Sequence, residues 1–274
     1  FSPSYSPDGR YLAYCSRRGG SLYSTSGGNV LCIHSMESGE DKEFSKGFKK
    51  LGVGYISRPR WAPDGKSIAI YGVAKTIGGS GGIYVVDLQT EVVTEVLYSG
   101  NDFRVSPAVW SSDGESIIFS RIDKKKSLPH LVMRNLKTGN EKTLYELPES
   151  ANLYFEVSPD FQQLGLLIRE RGKRVFRIMR ASGGEPRMLR EFSEQERPGW
   201  FIWAADGRHI LFNRKDEAGG WQLWRLSVDS GELELLGSTS YIAHLSAHPD
   251  GKRIAFSAGP LSGAEIWVME NFLP

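Results

Sequence analysis

Four groups of residues in this chain have types and spacings that could support chemistry. Gly78-Gly-Ser-Gly-Gly82 matches Gly-x-Ser-x-Gly, the turn that presents the serine nucleophile of many hydrolases. That chemistry needs a strand before the serine, a helix after it, and an acid and a histidine further along. Here the stretch falls between two β-rich runs and no amphipathic helix is visible anywhere, so it reads as a glycine-rich loop. His244 and His248 stand four apart, the spacing of two zinc ligands on one helix face. On a strand they would lie about 13 Å apart, too far to share an ion. Six aspartates, at positions 8, 64, 113, 160, 206 and 250, could be called a carboxylate ring. Each is better explained as a turn former that bonds its own backbone. Residues 124–126 and 169–174 are basic runs that read as solvated loops. No catalytic residue, metal ligand or cofactor site is assigned.

The elements that must position these side chains follow from one phrase. An apolar or aromatic strand leads into a Pro-Asp-Gly turn, and a second apolar strand leaves it. The cleanest copy runs from Arg58 to Tyr71, with Trp61 closing the first strand and Pro63, Asp64 and Gly65 making the turn. Proline presets φ, aspartate bonds the backbone two residues on, and glycine accepts φ > 0. The six turn aspartates are spaced by 56, 49, 47, 46 and 44 residues. Self-similarity at this period marks a repeat architecture, and each unit has room for four short strands, one blade of a β-propeller. The expected fold is therefore all-β, a six-bladed propeller of four-stranded antiparallel blades in one domain spanning residues 1–274. The first repeat begins at once on its first, innermost strand (residues 1–6). The fourth carries Phe161 where the others have glycine, and the sixth has three clear strands. Either residues 271–273 supply a stub, or residues upstream of Phe1 complete that blade, which makes the chain read as the C-terminal part of a longer protein.

Composition narrows the function. With 34 basic against 32 acidic residues the net charge is +2, which offers no electrostatic case for nucleic acid or an anionic membrane. No apolar run approaches the ~20 residues that span a bilayer as a helix. Cys15 and Cys32 fall on neighbouring strands of the first repeat and are expected to be buried thiols, a disulfide being the alternative. Tyr5, Trp61, Trp110 and Trp203 all stand three residues before a turn aspartate, with Val157 and Ala247 in the other two repeats. Aromatics at one repeated place are expected to pack between blades.

The phrase Ser-Pro-Asp-Gly-(Arg/Lys), followed by an apolar-Ala-apolar strand, resembles the WD-repeat-like propeller repeats of the bacterial TolB family. It stands here as Ser6-Pro-Asp-Gly-Arg-Tyr-Leu-Ala-Tyr14, Ala62-Pro-Asp-Gly-Lys-Ser-Ile-Ala-Ile70 and His248-Pro-Asp-Gly-Lys-Arg-Ile-Ala-Phe256. The third and fifth copies lack the proline and the fourth lacks the glycine. The resemblance covers nearly the whole chain but rests on structural turns, so it is specific for fold rather than function. It implies six blades and binding of proteins or peptides. Similar propellers precede the catalytic domain of prolyl oligopeptidase relatives, and others follow regulatory domains.

In such a frame the long, irregular connections into the first strands share one face, and loops on a rigid scaffold are where binding resides. Around the expected channel mouth stand Arg58, Arg60, Arg104, Tyr154, Glu156, Trp200 and His244. Arginine, tyrosine and tryptophan are the side chains of interface hot spots. The expected function is non-catalytic: a binding or sensory module recognising a protein, peptide or small ligand there, attached to an upstream regulatory domain. The alternative is an accessory, substrate-gating propeller of a serine peptidase.

Overall fold

The computed structural model describes residues 1–17, 29–75, 81–100, 102–125, 127–149, 151–170, 172–239, 241–258 and 265–271. These residues form six antiparallel sheets in chain order, the blades of a β-propeller. Each sheet is a meander in which sequence neighbours pair, because short turns join the strands. The first contains Ser4–Tyr5, Tyr11–Ser16, Val30–Ser35 and Asp41–Phe44; the second Val53–Trp61, Ser67–Ala74, Gly81–Asp87 and Val93–Tyr98. The fourth contains Asn152–Val157, Gln163–Glu170, Lys173–Arg180 and Arg187–Phe192; the fifth Pro198–Trp203, His209–Lys215, Trp221–Ser227 and Leu233–Thr239. The sixth has three strands among the described residues, Ala243–Ala247, Arg253–Ala258 and Glu265–Glu270, and Leu273 of the expected stub lies outside them. Compactness divides the chain into two units, residues 1–127 with 132–142, and residues 128–131 with 143–274.

The third blade departs from the expected single first strand. Phe103–Val105 and Val109–Trp110 each pair with Ser116–Asp123, and the chain between them is interrupted at Ser106-Pro107. Proline lacks the N–H a ladder needs. The Ser106 hydroxyl instead accepts a bond from Ser120 N at 2.9 Å.

A second departure lies ahead of Arg58, where the second repeat is expected to start. Lys46–Lys50 is a five-residue helix, too short to show amphipathic periodicity. It exists because Phe48 is buried edge-on against Tyr84, 6.4 Å between ring centres. The strand after it begins at Val53, five residues before the expected start.

The turns behave as their residues dictate. In every copy an aspartate Oδ1 accepts the backbone N–H two residues on, at 2.8–3.0 Å: Arg10, Lys66, Glu115, Gln162, Arg208 and Lys252. The residue after each aspartate donates its N–H back across the turn, and it has positive φ. Phe161 takes this left-handed conformation at φ 58 although it is not glycine, a strain that the same bonding pattern holds in place. Serine two residues before the aspartate adds a hydroxyl bond, from Ser6, Ser111 and Ser158 at 2.5–2.6 Å.

Burial is contributed mainly between adjacent blades. Ile68, Ala69 and Ile70 on a second strand are all essentially inaccessible, because both faces of the sheet are covered. One cluster joins Ala13, Leu31 and Phe44 of blade one to Trp61, Ile68 and Tyr84 of blade two. Another joins Phe176 and Phe192 of blade four to Phe201 and Phe212 of blade five. Trp61, Trp110 and Trp203 are buried and also hydrogen-bonded: their indole N–H groups donate to the carbonyls of Ser4, Arg60 and Glu156, each in the preceding blade and each four residues before that blade's turn aspartate. Cys15 and Cys32 are buried and are not joined in a disulfide. They are one register step apart, since Tyr14 faces Cys32 and Cys15 faces Leu31, and so point to opposite sheet faces. Burial pushes the Cys15 thiol up to about 12.

Two expectations follow. Phe161→Gly relieves the left-handed strain and should raise stability by about 1 kcal/mol in urea unfolding. The Ser6 hydroxyl holds the Asp8 carboxyl down to about 2, and Ser111 and Ser158 lower Asp113 and Asp160 in the same way. A lowered folded pKa contributes stability that is full above the ordinary carboxylate value and is lost as pH falls through the folded pKa. The triple variant Ser6→Ala, Ser111→Ala, Ser158→Ala should therefore lose stability at neutral pH and show a shallower decline between about pH 4 and about pH 2.

Candidate functional site

The place six residues before the turn aspartate is occupied by Tyr154, Trp200 and His244 in blades four, five and six. In the second unit these three side chains meet. The rings of Tyr154 and Trp200 are 5.0 Å apart at 82°, and Trp200 stacks on His244 at 4.9 Å and 29°. Tyr154 also packs edge-on against Phe201 at 5.0 Å. The result is a continuous ladder of three flat, half-buried rings, one from each blade.

Local backbone irregularity aims these rings. In blade five the ladder steps from Pro198 opposite Arg214 to Phe201 opposite Phe212, a bulge that contains Gly199 and Trp200. In blade six the pairing steps from Ala243 to Ser246, and His244 takes φ 50. Bulges re-aim side chains out of strict alternation. Gly199 is needed there: a Cβ would sit 2.5 Å from Asn213 Oδ1. Asn213 is fully buried and donates Nδ2 to the Ile242 carbonyl at 2.6 Å, which fastens blade five to the residues just ahead of His244.

Glu156 completes the cluster from beneath. It is buried, and its Oε1 accepts the Tyr154 hydroxyl at 2.6 Å while its carbonyl accepts Trp203 Nε1 at 3.1 Å. The phenol thus has a fixed orientation, with a weaker second bond to the Phe201 carbonyl at 3.3 Å. Tyr154, Glu156, Trp200 and His244 are therefore brought together.

Arg58, Arg60 and Arg104 belong to the first unit. Arg58 occupies the same bulged place in blade two, at φ 54, and Arg60 Nη1 reaches the Pro59 carbonyl at 3.0 Å. Arg104 is exposed on the short strand opposite Ile122, nine residues before Asp113, so it is out of step with the others. Pro107 holds the equivalent place in blade three.

The remaining chemical candidates resolve as follows. His248 is a turn residue: its Nδ1 lies 2.9 Å from Asp250 Oδ1. Ser80 lies outside the described residues, and Gly81 and Gly82 open a strand rather than a helix. Among the described residues no three His, Cys, Asp or Glu side chains are grouped to hold a metal ion. The basic run at 169–174 is not simply a loop. Arg169 and Arg174 lie on paired strands directly opposite each other, and Arg174 is half-buried. The strands run two residues further into the connection than composition suggested.

Sequence reasoning also passed over a cleft of about 460 Å³ in the first unit. Ile33, Phe44, Trp61 and Leu88 give it an apolar lining, with Glu40, Asp41 and Lys66 among its polar residues. Tyr11 stacks on Trp61 there at 6.4 Å and is 40% exposed. An aromatic at the exposed start of a second strand was the available signal.

No family profile matches the chain. A 139-residue stretch, half of the chain, is 34% identical to dipeptidyl-peptidase 5 of Porphyromonas gingivalis, of which it spans 19%. A 119-residue stretch is 27% identical to the uncharacterised peptidase YuxL of Bacillus subtilis and spans 16% of it. The chain thus covers less than a fifth of these relatives. Among solved structures, TolB from Acinetobacter baumannii superposes with a TM-score of 0.63 over 87% of this chain and 54% of that one, at 20% identity, which shows a shared TolB-like propeller fold. No described helix is long and apolar enough to cross a membrane.

Tyr154→Phe removes the donor to a buried carboxylate and should cost about 1–3 kcal/mol in urea unfolding. Gly199→Ala should displace Asn213 and loosen the Trp200–His244 stack, seen as loss of near-ultraviolet tryptophan circular dichroism with far-ultraviolet signal retained.

Proposed function

We propose that this propeller is a peptide-recognition module of a peptidase-type protein, with the aromatic ladder of blades four to six as its binding surface. The role is recognition; bond cleavage would belong to a catalytic domain elsewhere in the full-length protein. This favours the substrate-gating alternative over attachment to an upstream regulator.

The observation that carries this reading is the ladder itself. Three successive repeats diverge from one another at a single frame position, and all three choose a flat ring. The turn position does the opposite, with aspartate in all six repeats. Flat rings accept apolar side chains and proline rings over their faces, and Trp200, the middle rung, offers the largest such face. The rotamers are fixed before any ligand arrives, by stacking, by Glu156 and by the Gly199 bulge, so little ordering entropy is lost on binding. Two curated relatives are named as peptidases, which supports peptide as the ligand class.

Titration calorimetry with N-acetyl-Ala-Ala-Phe-amide tests the reading. Trp200→Ala should weaken binding by tenfold or more, in line with a hot-spot truncation. Trp267→Ala, an exposed tryptophan of blade six outside the ladder, should leave it unchanged. Undiminished binding by Trp200→Ala would sink the assignment.

A further inference from the structure

The same end of blades four and five carries positive charges that form no ion pair among the described residues. Arg169 and Arg174 face each other across the second and third strands of blade four. Directly opposite like charges destabilise a sheet. Other cations nearby are matched: Lys173 with Glu191 at 2.6 Å, Arg177 with Glu170 at 2.9 Å, and Arg214 with Glu196 at 3.2 Å. Arg174 is half-buried and spends Nη1 on the Pro198 carbonyl. Arg197, next to that proline, uses its Nε on the Glu194 carbonyl at 3.0 Å. Burial first, then the charges of Arg169 and Arg197, pull the Arg174 guanidinium below its ordinary value. Among the described residues the Glu194 carboxylate also lies on this rim, beside Gly172, and forms an ion pair with none of the three arginines.

These guanidinium groups stand beside the ladder. Pro198 is two residues before Trp200, and Asn152, opposite Arg169, is two residues before Tyr154. Two residues of strand span about 7 Å. A ligand lying on the rings therefore reaches the arginines within one peptide unit or two.

We propose that Arg169, Arg174 and Arg197 form a subsite for a carboxylate of the peptide held by the ladder. This rests on the peptide-recognition reading above. A planar guanidinium fork matches a carboxylate with two parallel bonds, and an anion placed among three like charges relieves their mutual repulsion. The carboxylate has two sources, a free C-terminus or an acidic side chain.

Three N-acetylated tripeptides separate the outcomes by calorimetry: Ala-Ala-Phe as free acid, Ala-Ala-Phe amide, and Ala-Glu-Phe amide. The unaltered protein should bind one carboxylate-bearing peptide at least tenfold more tightly than the neutral amide, and which one identifies the source. Arg174→Gln should erase that preference while leaving the affinity for the neutral amide within about twofold. Arg169→Gln, at an exposed position, should do the same if Arg174→Gln unsettles the strand. Trp200→Ala should weaken all three peptides alike. Equal binding of the three by the unaltered protein, or a preference that survives both arginine changes, overturns the carboxylate subsite and leaves peptide recognition standing. Binding of none of the three overturns both.

Discussion

The indole N–H that reaches from one blade to the carbonyl of the one before it is the constraint on which this structure most depends. Hydrophobic contact between blades is large but non-directional, and it would tolerate sliding of one sheet on the next. A buried N–H must find an acceptor, and leaving it unmade costs more than the bond itself contributes. Trp61, Trp110 and Trp203 each find the carbonyl four residues before the preceding turn aspartate. That shared choice sets the axial register of these three pairs of blades. It also decides which residues of adjacent first strands lie level with one another.

The ladder is a consequence of that register. Once Trp203 is tied to Glu156, the places two and three residues earlier are brought level in blades four and five. Tyr154 and Trp200 then meet edge to face, and the Tyr154 hydroxyl reaches the Phe201 carbonyl of the next blade. Glu156 serves both levels, with its carbonyl on the structural indole and its carboxylate on the phenol of the candidate site. Asn213 repeats the device between blades five and six. Candidate surface and scaffold therefore share residues, and the rings inherit the rigidity of the frame.

The turns show how much sequence variation one backbone solution absorbs. Proline is missing from two copies and glycine from one, yet the aspartate bond and the left-handed residue persist in all six. Cooperative closure by several short hydrogen bonds holds even Phe161 in the left-handed region. The irregular places lie at the other end of the first strands, where bulges at Arg58, Trp200 and His244 break the ladder. Regular turns and irregular starts thus separate the repeated frame of a blade from its variable side chains.

Much of this was legible in the residues. The Asp-Gly period gave the number of blades, because a tight turn needs particular side chains at particular places and leaves a local signature. Burial of Trp61, Trp110 and Trp203 was legible for the same reason. What the chain could not reveal alone was any fact that depends on two distant segments meeting. The helix at Lys46–Lys50 exists through Phe48 on Tyr84, and the strand break at Pro107 is tolerated through Ser106. The facing pair Arg169 and Arg174 looked like a loop until strand pairing extended to them. Local chemistry is written in adjacent residues, whereas register between blades is fixed by hydrogen bonds spanning about fifty residues, and only the folded molecule shows which rings and which charges that register brings together.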